Sequence, residues 1–306
     1  MAGTRIPDLQ VTKVTDGDTI NVDLDGQTEK LRLACVDTEE SLASGATPDK
    51  PVTEAGKQAS AMAKNYFATP GGGLTQVTLE FDTADSVAEC LKKHRDNFGR
   101  LLCYVHKGAE NYNLKLVLEG WSPYFEKYGR SRLYHEVLSE AEAEAQAHNR
   151  VIWDPATNSS GPTRPYDILR PWWSFRGALV EDYRRALASG AAAGVLSVRL
   201  DYQALLTAAE GNSAVTVLCD VQQGIQHWVG GGAVIWAGSP EHKFNLWIPD
   251  VETDVAQRIV RLVQLRYAGT GRRNYVYVSG AGEMFGNTPQ IVLTSPDQLS
   301  DFPPGV

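Results

Sequence analysis

Alternation of apolar and polar side chains near the N-terminus constrains the fold of this chain more than any other feature. In "TINVDL", residues 19–24, the side chains of Ile20, Val22 and Leu24 share one side of an extended chain. Such alternation predicts a half-buried β-strand. "LQVTKVT" before it and "EKLRLACVD" after it are two further strands, and Asp25-Gly26 supplies a tight turn. A start rich in hairpins predicts a small β-barrel.

The rest of the first half adds helices to this barrel. We expect a helix over about residues 53–68, where Thr53 is a suitable N-cap. "LTQVTLEFD" and "GRLLCYVHKG" are further strands, "NLKLVLEG" is a short helix capped by Asn113, and residues 131–150 are a long helix rich in Glu and Ala. The sequence therefore predicts a first domain over residues 1–154, a small barrel packed by helices.

A second barrel is predicted after a linker. Residues 155–210 begin with a polar stretch and contain an amphipathic helix, "ALVEDYRRALASG". Residues 211–306 hold five short strand candidates, with the helical stretch "DVAQRIVRLVQLR" between the third and the fourth. That order is typical of the five-stranded OB-fold barrel. The predicted fold class is α+β, mainly β with helices: two small five-stranded OB-type barrels joined by a partly helical linker.

Composition excludes several classes of protein. The 306 residues are 42% hydrophobic and carry a net charge of −8, so the chain can bury two modest cores but has no general positive field for polyanions. No apolar run approaches a membrane span, and the first residues lack the apolar core of a signal peptide. The four cysteines are widely spaced and form no CxxC pair. We expect a cytoplasmic protein without membrane partners, although a secreted precursor that had lost its signal would leave the same sequence.

Several charged residues of the first domain occupy strand or strand-end positions that a barrel would normally fill with uncharged side chains. Asp18 has the parity of the apolar face of its strand, for example, and Arg32 lies within a strand. Buried charges are costly unless they are paired or bind a ligand. We therefore expect these residues to converge at one mouth of the barrel. They are Asp18, Arg32, Asp37, Glu39, Glu40 and Arg100.

The acidic members of this set fit metal-assisted hydrolysis of a phosphodiester. Asp18 and Asp37 supply hard oxygen ligands for a Ca²⁺-type cation, and the Thr38 carbonyl and waters complete the ligand shell. Glu40 can act as general base on a water molecule. All-oxygen ligands would also admit Mn²⁺ or Mg²⁺.

The basic members fit the same reaction. Arg32 and Arg100 can grip a phosphate through two hydrogen bonds each and stabilise the charge that develops at phosphorus. A structural network of ion pairs between carboxylates and arginines at strand ends is the alternative, and the spacing of the residues alone does not decide between the two.

The ordered pattern "DGDTINV…GQTEKLRLACVDTEE…EAGKQASAMAK…DNFGRLLCYV…NLKLVLEGW…SEAEAEAQAHNRVIW" resembles the staphylococcal nuclease (thermonuclease) family over about residues 9–154. The resemblance implies a five-stranded OB-type barrel with three helices. It also implies Ca²⁺-dependent cleavage of DNA and RNA that leaves a 3′-phosphate and a 5′-hydroxyl, and the family's shape favours single-stranded or open DNA. By motif, the metal ligands would be Asp18, Asp37 and Thr38, the base Glu40, and the phosphate-binding pair Arg32 and Arg100.

The chain departs from the family pattern beside the presumed base. The family usually has Asp-Thr-Pro-Glu, whereas this chain has Asp37-Thr38-Glu39-Glu40. Loss of the proline loosens the turn that aims Glu40, and Glu39 adds a second negative charge. Either a less well aimed base or a tighter cation site would result. A non-catalytic nucleic-acid-binding protein that kept the fold is the alternative function, and it predicts an eroded site, which this sequence does not have.

Further substrate contacts are predicted outside these motifs. Tyr128, next to Lys127 in "YFEKYG", falls near a substrate-contacting tyrosine of the family by resemblance. In the C-terminal domain, candidates for base stacking or phosphate contact are Trp236, Trp247, Arg272 and Arg273. Aromatic residues also favour strands for packing alone, so a docking role is the alternative there, as a homo-oligomer or with a protein partner. The predicted partners are DNA and, as a second substrate, RNA.

Overall fold

The chain folds into two units in the computed structural model, which describes residues 2–221 and 224–304. The first unit runs to Asp167 but leaves out Lys127–Gly129. That short segment belongs to the second unit, together with the chain from Ile168 onward. Residues 155–167, which the sequence analysis placed in a linker, are thus part of the first unit.

Five strands of the first unit close into a barrel, which confirms the predicted α+β fold of this region. Their order around the barrel is β3-β2-β1-β4-β5, and parallel pairing of β3 with β5 closes it. One further strand of two residues, β6 (Glu110–Asn111), pairs with β5. The barrel strands are β1 (Thr4–Asp16), β2 (Thr19–Leu24), β3 (Gln27–Leu33), β4 (Gln76–Phe81) and β5 (Leu101–Lys107).

Alternate side chains of these strands fill the barrel, as their pattern predicts. Ile20, Val22 and Leu31 have no exposed surface, and they pack with apolar residues of the other strands and the helices. Complete burial of each such side chain contributes roughly 1.5–3 kcal/mol relative to exposure. The apolar interior fixes the register of the strands, because a slip of one residue would turn these side chains outward.

Four helices cover the barrel: α1 (Glu54–Phe67), α2 (Val87–Lys93), α3 (Tyr112–Leu118) and α4 (His135–Ala147). The Thr53 hydroxyl caps α1, as expected, by accepting from the Gly56 N–H at 3.0 Å. The prediction that Asn113 caps α3 is wrong, because Asn111 is the cap and accepts from the Leu114 N–H. Asn113 is instead buried within the helix and bonded to backbone groups of the barrel.

In the part of the second unit that the structure describes, the fold is one mixed sheet with three α-helices. Its principal strand order is β7-β8-β12-β13-β11-β10-β9, and β14 also pairs with β12. The strands are β7 (Val195–Ser197), β8 (Ala214–Asp220), β9 (Ile225–His227), β10 (Ala233–Trp236), β11 (Asn245–Ile248), β12 (Tyr275–Phe285), β13 (Thr288–Val292) and β14 (Leu299–Ser300). The helices are α5 (Tyr166–Ser189), α6 (Tyr202–Glu210) and α7 (Asp254–Leu262).

The prediction of a second closed barrel is wrong. All five strand candidates and the helix between the third and fourth are present, but the sheet stays open. The reason is that β8 pairs with β12 on one side and with the parallel strand β7 on the other, so it has no edge left for closure. Within the described residues, no helix has the length and apolarity needed to cross a membrane.

Candidate functional site

The register of three neighbouring strands brings predicted site residues to one end of the barrel. In the antiparallel β2–β3 pair, Thr19 lies opposite Arg32, and Asp18 is the residue before Thr19. In the parallel β3–β5 pair, Leu102 lies opposite Arg32, and Arg100 comes two residues before Leu102. The positions of Asp18 and Arg100 therefore flank Arg32 from the strands on its two sides.

Asp18 is a buried carboxylate with several hydrogen-bond donors, not a simple turn residue. It is 4% exposed. Its Oδ2 accepts from the Thr38 N–H at 2.9 Å and lies 2.5 Å from Arg32 Nη1, while Oδ1 accepts from the Thr19 hydroxyl at 3.0 Å. A Cβ on Gly17 would stand 2.9 Å from the Thr38 side chain. Glycine there lets the two loops approach closely enough for this contact.

Asp37 lies next to Asp18 in the same cluster and is 5% exposed. Its Oδ1 lies 2.5 Å from Arg32 Nη2 and 2.9 Å from Lys50 Nζ. Its backbone N–H donates to the Ser122 hydroxyl at 2.8 Å, which fixes the start of the loop after β3. Arg32 thus bridges the two aspartates, as an ion-pair network or a phosphate-binding arginine would.

Lys50, which the sequence analysis did not place in the site, lies among the carboxylates. Its Nζ is 2.9 Å from both Asp37 Oδ1 and Glu40 Oε1, and 4.0 Å from Asp18 Oδ2. Backbone hydrogen bonds between Thr47 and Lys50, 3.0 Å in each direction, turn the loop so that the side chain points back. Its sequence signal was its position as the sole Lys or Arg of the loop at residues 41–52.

Arg164 is the second cation that sequence reasoning missed. It is 8% exposed, and its Nη2 pairs with Asp37 Oδ2 while its Nη1 donates to the Asp37 carbonyl at 3.1 Å. Its Nε donates to the carbonyl of Asp49 at 3.2 Å. The flanking prolines Pro162 and Pro165 were the available signal, since they stiffen a segment that reads as a linker.

Glu39, the residue in place of the family's proline, is 1% exposed. Its Oε2 accepts from the Thr53 hydroxyl at 2.5 Å and from Asn158 Nδ2 at 3.0 Å. Asn158 Oδ1 in turn accepts from the Ala55 N–H at 3.0 Å. The carboxylate of Glu39 therefore ties the chain after residue 155 to the start of α1. On sequence grounds, this replacement of proline is expected either to aim the base Glu40 less well or to tighten the cation site. These contacts of Glu39 are to Thr53 and Asn158 and directly support neither outcome.

Three cations hold the two buried aspartates in their ionised form. Burial alone would raise the pKa of the Asp37 carboxyl, but Arg164, Lys50 and Arg32 keep that pKa well below its ordinary value. Burial likewise opposes ionisation of Asp18, and Arg32 and Lys50 lower its pKa. Burial would lower the pKa of the Lys50 ammonium, yet the two aspartates raise it. With Glu40, which pairs with Lys50, the cluster has three carboxylates for three cations.

Arg100 has a different partner in the structure. Its Nε lies 2.7 Å and its Nη2 2.6 Å from Asp96 Oδ2, and its guanidinium carbon is 5.5 Å from the centre of the Phe98 ring. Burial lowers the pKa of the Arg32 guanidinium, but the carboxylates of Asp18 and Asp37 and, to a smaller extent, Asp96 raise it overall. A quarter of the Arg100 side chain is exposed, so a phosphate can reach it from solvent.

The carboxylate oxygens of Asp18, Asp37 and Glu40 are suitable ligands for a hard divalent cation, but their distances from the position at their centre suit the ammonium group of Lys50. Ca²⁺ ligands lie at about 2.3–2.6 Å, but Asp37 and Glu40 stand 2.9 Å from Lys50 Nζ, and Asp18 stands 4.0 Å away. In the part of the chain that the structure describes, no three His, Cys, Asp or Glu side chains surround a common metal position.

One buried oxygen supports the fit to a cation. The hydroxyl of Thr38 is buried and has no hydrogen-bond partner within residues 2–221 and 224–304. The ligand that the sequence analysis named is the Thr38 carbonyl, so the unsatisfied hydroxyl is a second oxygen of the same residue, whose N–H is bonded to Asp18. Unsatisfied buried polar atoms are rare and often mark an unseen ion or water. The residues therefore fit a divalent cation, provided that the Lys50 ammonium withdraws.

Two of the predicted substrate contacts belong to the second unit. Lys127 Nζ lies 5.4 Å from the ring centre of Tyr128 and 5.0 Å from that of Trp172 on α5. Arg176, also on α5, donates through Nε to the Lys127 carbonyl at 3.1 Å. Tyr128 is 40% exposed. Cation–π contacts of this kind explain why the segment packs with α5, and a role of either residue in substrate binding stays a prediction.

The other predicted substrate contacts of the second unit include exposed side chains and side chains that are partly buried or already paired. Trp236 on β10 is 48% exposed, and Arg272 lies in an exposed loop. Trp247 is only partly exposed on β11. Arg273 donates to the Asp301 carbonyl at 2.6 Å and pairs with its carboxylate at 3.3 Å. Trp236 and Arg272 are thus the better placed for a ligand, and all four assignments stay predictions.

Comparisons with known proteins agree with the architecture of the first unit. The family model described as "Staphylococcal nuclease homologue" matches residues 30–155. A thermonuclease of Staphylococcus intermedius is 35% identical over 144 residues, which are 47% of this chain and 74% of that protein, and the thermonuclease of Staphylococcus hyicus gives the same figures. An SPbeta prophage-derived endonuclease of Bacillus subtilis is 29% identical over 149 residues, which are 49% of this chain and 45% of that protein.

Proposed function

Because the chain belongs to the staphylococcal nuclease family, we propose that it is a divalent-cation-dependent nuclease that hydrolyses phosphodiester bonds of DNA and, as a second substrate, RNA. The observation that carries the proposal is the buried cluster in which Arg32 bridges Asp18 and Asp37 and Lys50 links Asp37 to Glu40. Buried charges are costly, and this set contains the residue types that metal-assisted hydrolysis of a phosphodiester requires.

Asp18 and Asp37, with the carbonyl of Thr38, are the residues that would hold the cation. Ca²⁺ is the first candidate, and Mn²⁺ and Mg²⁺ share its preference for oxygen ligands. When bound, a divalent cation supplies Lewis-acid stabilisation of the charge on the phosphoryl oxygens. The two aspartates are already ionised at neutral pH, because their cationic neighbours lower the pKa of both, so they can bind a cation without losing a proton first.

Glu40 is the residue that we assign as general base. Its side chain is 18% exposed and lies at the edge of the cluster, where its Oε1 meets Lys50 at 2.9 Å. Once Lys50 withdraws, the carboxylate can accept a proton from water while the water oxygen attacks phosphorus. The bond from phosphorus to the 5′ oxygen breaks, and that oxygen takes a proton from solvent. The products are a 3′-phosphate and a 5′-hydroxyl.

Arg32 and Arg100 are assigned to the phosphate. Both guanidinium groups already pair with carboxylates, Arg32 with two aspartates and Arg100 with Asp96. A phosphodiester can share these donors, since each guanidinium has five N–H groups in a planar fork. The pairs therefore hold the forks in place before the substrate arrives, which lowers the entropic cost of binding it.

A cleavage assay tests this function directly. Labelled single- and double-stranded DNA and RNA are incubated with the protein in Ca²⁺, Mg²⁺, Mn²⁺ or chelator. We expect cleavage with Ca²⁺, faster on single strands, and none in chelator. Asp18→Asn should abolish both cleavage and cation binding, whereas Asp23→Asn, an exposed aspartate on β2, should leave both unchanged. Undiminished cleavage in chelator would overturn the cation requirement.

Non-catalytic nucleic-acid binding is the second candidate, and one observation favours it. The carboxylates Asp18, Asp37 and Glu40 are matched by Arg32 and two further cations of the chain itself, so the cluster is electrically satisfied without a metal. Binding of labelled DNA with no cleavage under any of the four cation conditions would support this alternative.

For the second unit we propose a contact with nucleic acid through Trp236 and Arg272. Stacking of an exposed aromatic on an unpaired base contributes about 1–3 kcal/mol. Trp236→Ala should therefore weaken binding of single-stranded DNA, as measured by fluorescence anisotropy, and the partly buried Trp247 serves as the comparison. Unchanged affinity combined with a change in oligomeric state by sedimentation would favour the docking role instead.

A further inference from the structure

Arg164 contacts the presumed metal ligand Asp37 from a part of the chain that the family model does not cover. The match ends at residue 155. Arg164 nevertheless lies in the first unit and holds Asp37 at two points, the carboxylate oxygen Oδ2 and the backbone carbonyl. Its third nitrogen, Nε, donates to the Asp49 carbonyl in the loop that carries Lys50. One guanidinium therefore joins the ligand and the adjacent loop.

The segment that carries Arg164 is anchored by buried hydrogen bonds. Asn158, which is 8% exposed, donates to Glu39 and accepts from the Ala55 N–H. Glu39 also accepts from the Thr53 hydroxyl at the cap of α1. The segment is thereby fixed to the turn that presents Asp37.

We propose that Arg164 is a positioning residue that orients the Asp37 carboxylate for cation binding; the inference rests on the proposed function. Because Oδ2 is held by Arg164, Oδ1 is the oxygen directed toward Arg32 and Lys50, where the cation would bind. Without Arg164 the Oδ2 atom would lose this partner, and only the contacts of Oδ1 with Arg32 and Lys50 would restrain the χ2 torsion, which is broad for aspartate. Groups that orient a metal ligand in this way typically change metal affinity or activity by about 10–100-fold.

A role of Arg164 as a bare positive charge predicts the opposite result. A cation repels a second cation, so its removal would strengthen binding of Ca²⁺. Orientation of Asp37 predicts that removal weakens binding. Lysine at position 164 separates the two effects, because it keeps the charge but lacks the planar fork that reaches two oxygens of Asp37 at once.

The experiment measures Ca²⁺ affinity by titration calorimetry, and kcat and KM on single-stranded DNA, for the full chain and for Arg164→Ala and Arg164→Lys. Arg185→Ala, at an exposed arginine of α5, is the matched control. We expect Arg164→Ala to bind Ca²⁺ about 10–100-fold more weakly and to lose kcat to a similar extent with little change in KM. Arg164→Lys should resemble Arg164→Ala, and added guanidinium, but not ammonium, should restore part of the kcat of Arg164→Ala.

Asn158→Ala covers the case in which Arg164→Ala does not fold. It leaves Arg164 in place and loosens only its anchor, so we expect a smaller loss of Ca²⁺ affinity in the same direction. Equal or tighter Ca²⁺ binding by the folded Arg164 variants, or by Asn158→Ala, would overturn the proposal. If the parent protein cleaves DNA in Mn²⁺ or Mg²⁺ but binds no Ca²⁺, the same titrations are made with that cation. Undiminished cleavage in chelator would overturn the cation requirement of the proposed function, and this role of Arg164 with it.

Discussion

The Nζ atom of Lys50 lies 2.9 Å from Oδ1 of Asp37, the carboxylate oxygen that the proposed cation would need. The same ammonium lies 2.9 Å from Glu40 Oε1, so one lysine is paired with both the proposed metal ligand and the proposed base. Because like charges repel and the oxygens are shared, Lys50 and a divalent cation compete for one position. Cation binding therefore requires the loop at residues 41–52 to release its lysine.

Replacement of Lys50 by methionine should strengthen cation binding. Lys50→Met keeps the length of the side chain but removes the competing charge, and we expect the Kd for Ca²⁺ to fall about tenfold, which corresponds to roughly 1.4 kcal/mol. Titration calorimetry measures this directly. Lys57→Met, at an exposed lysine of α1, is the control and should leave the Kd unchanged. Weaker Ca²⁺ binding by Lys50→Met would mean that Lys50 supports the cation site.

Loss of the Glu40 carboxylate should slow cleavage without unfolding the protein. Glu40→Gln removes the group that accepts the proton from water, and removal of a general base typically costs about 10²–10⁴-fold in rate. We expect at least about a hundredfold fall in kcat on single-stranded DNA in saturating Ca²⁺, with the circular dichroism melt retained. Glu54→Gln, at a half-exposed position of α1, should keep the parental rate. A near-parental rate for Glu40→Gln would show that another group takes the proton.

Local sequence patterns were enough to predict the barrel of the first unit and the cluster of charged residues at one end of it. The parity of Asp18 within its strand indicated that it faces inward, and strand register then brings it to Arg32. The position of Asp37 at the end of the predicted strand "EKLRLACVD" placed it at the same end. These residues are close in sequence or in adjacent strands, and hydrophobic periodicity is informative over such distances.

Contacts between distant parts of the chain were not predictable in this way. Arg164 and Asp37 are 127 residues apart, and a lone arginine in a polar stretch carries no periodic signal. Lys50 likewise is an isolated lysine in a loop, and its sequence position gives no indication of its contacts with the carboxylates. The open sheet of the second unit also depends on distant pairing, because the parallel contact of β7 with β8 removes the edge that closure would need. Periodicity identifies strands but not their partners.

Restoring the family's proline at position 39 should destabilise the first unit. Glu39→Pro removes the acceptor for the buried Thr53 hydroxyl and Asn158 amide. Each buried donor left without a partner costs about 1–3 kcal/mol, so we expect a loss of at least about 2 kcal/mol in urea-induced unfolding. Glu39→Gln keeps one acceptor oxygen and should lose less. Unchanged stability of Glu39→Pro would show that the chain after residue 155 is held by other contacts.

Glu80 should make the stability of the first unit depend on pH. Burial would raise the pKa of its carboxyl, but hydrogen bonds from Tyr134 at 2.5 Å, Arg5 at 3.1 Å and His106 at 2.8 Å lower it overall. The folded form therefore binds the proton less tightly than the unfolded chain. Its contribution to stability is fully present above the unfolded pKa of about 4.3 and is lost as the pH falls through the lower folded value.

Glu80→Gln tests this dependence. At pH 7 we expect the variant to lose about 1–3 kcal/mol of unfolding free energy, because a buried charged acceptor with three donors is replaced by a neutral one. The difference from the parent should shrink as the pH is lowered below about 4, where the parental carboxyl also gains its proton. Urea unfolding at a series of pH values measures the gap, and Glu89→Gln, at a half-exposed position of α2, should show a gap of no more than about 0.5 kcal/mol throughout. A gap that stays constant between pH 7 and pH 3 would show that the charge of Glu80 is not what stabilises this part of the barrel.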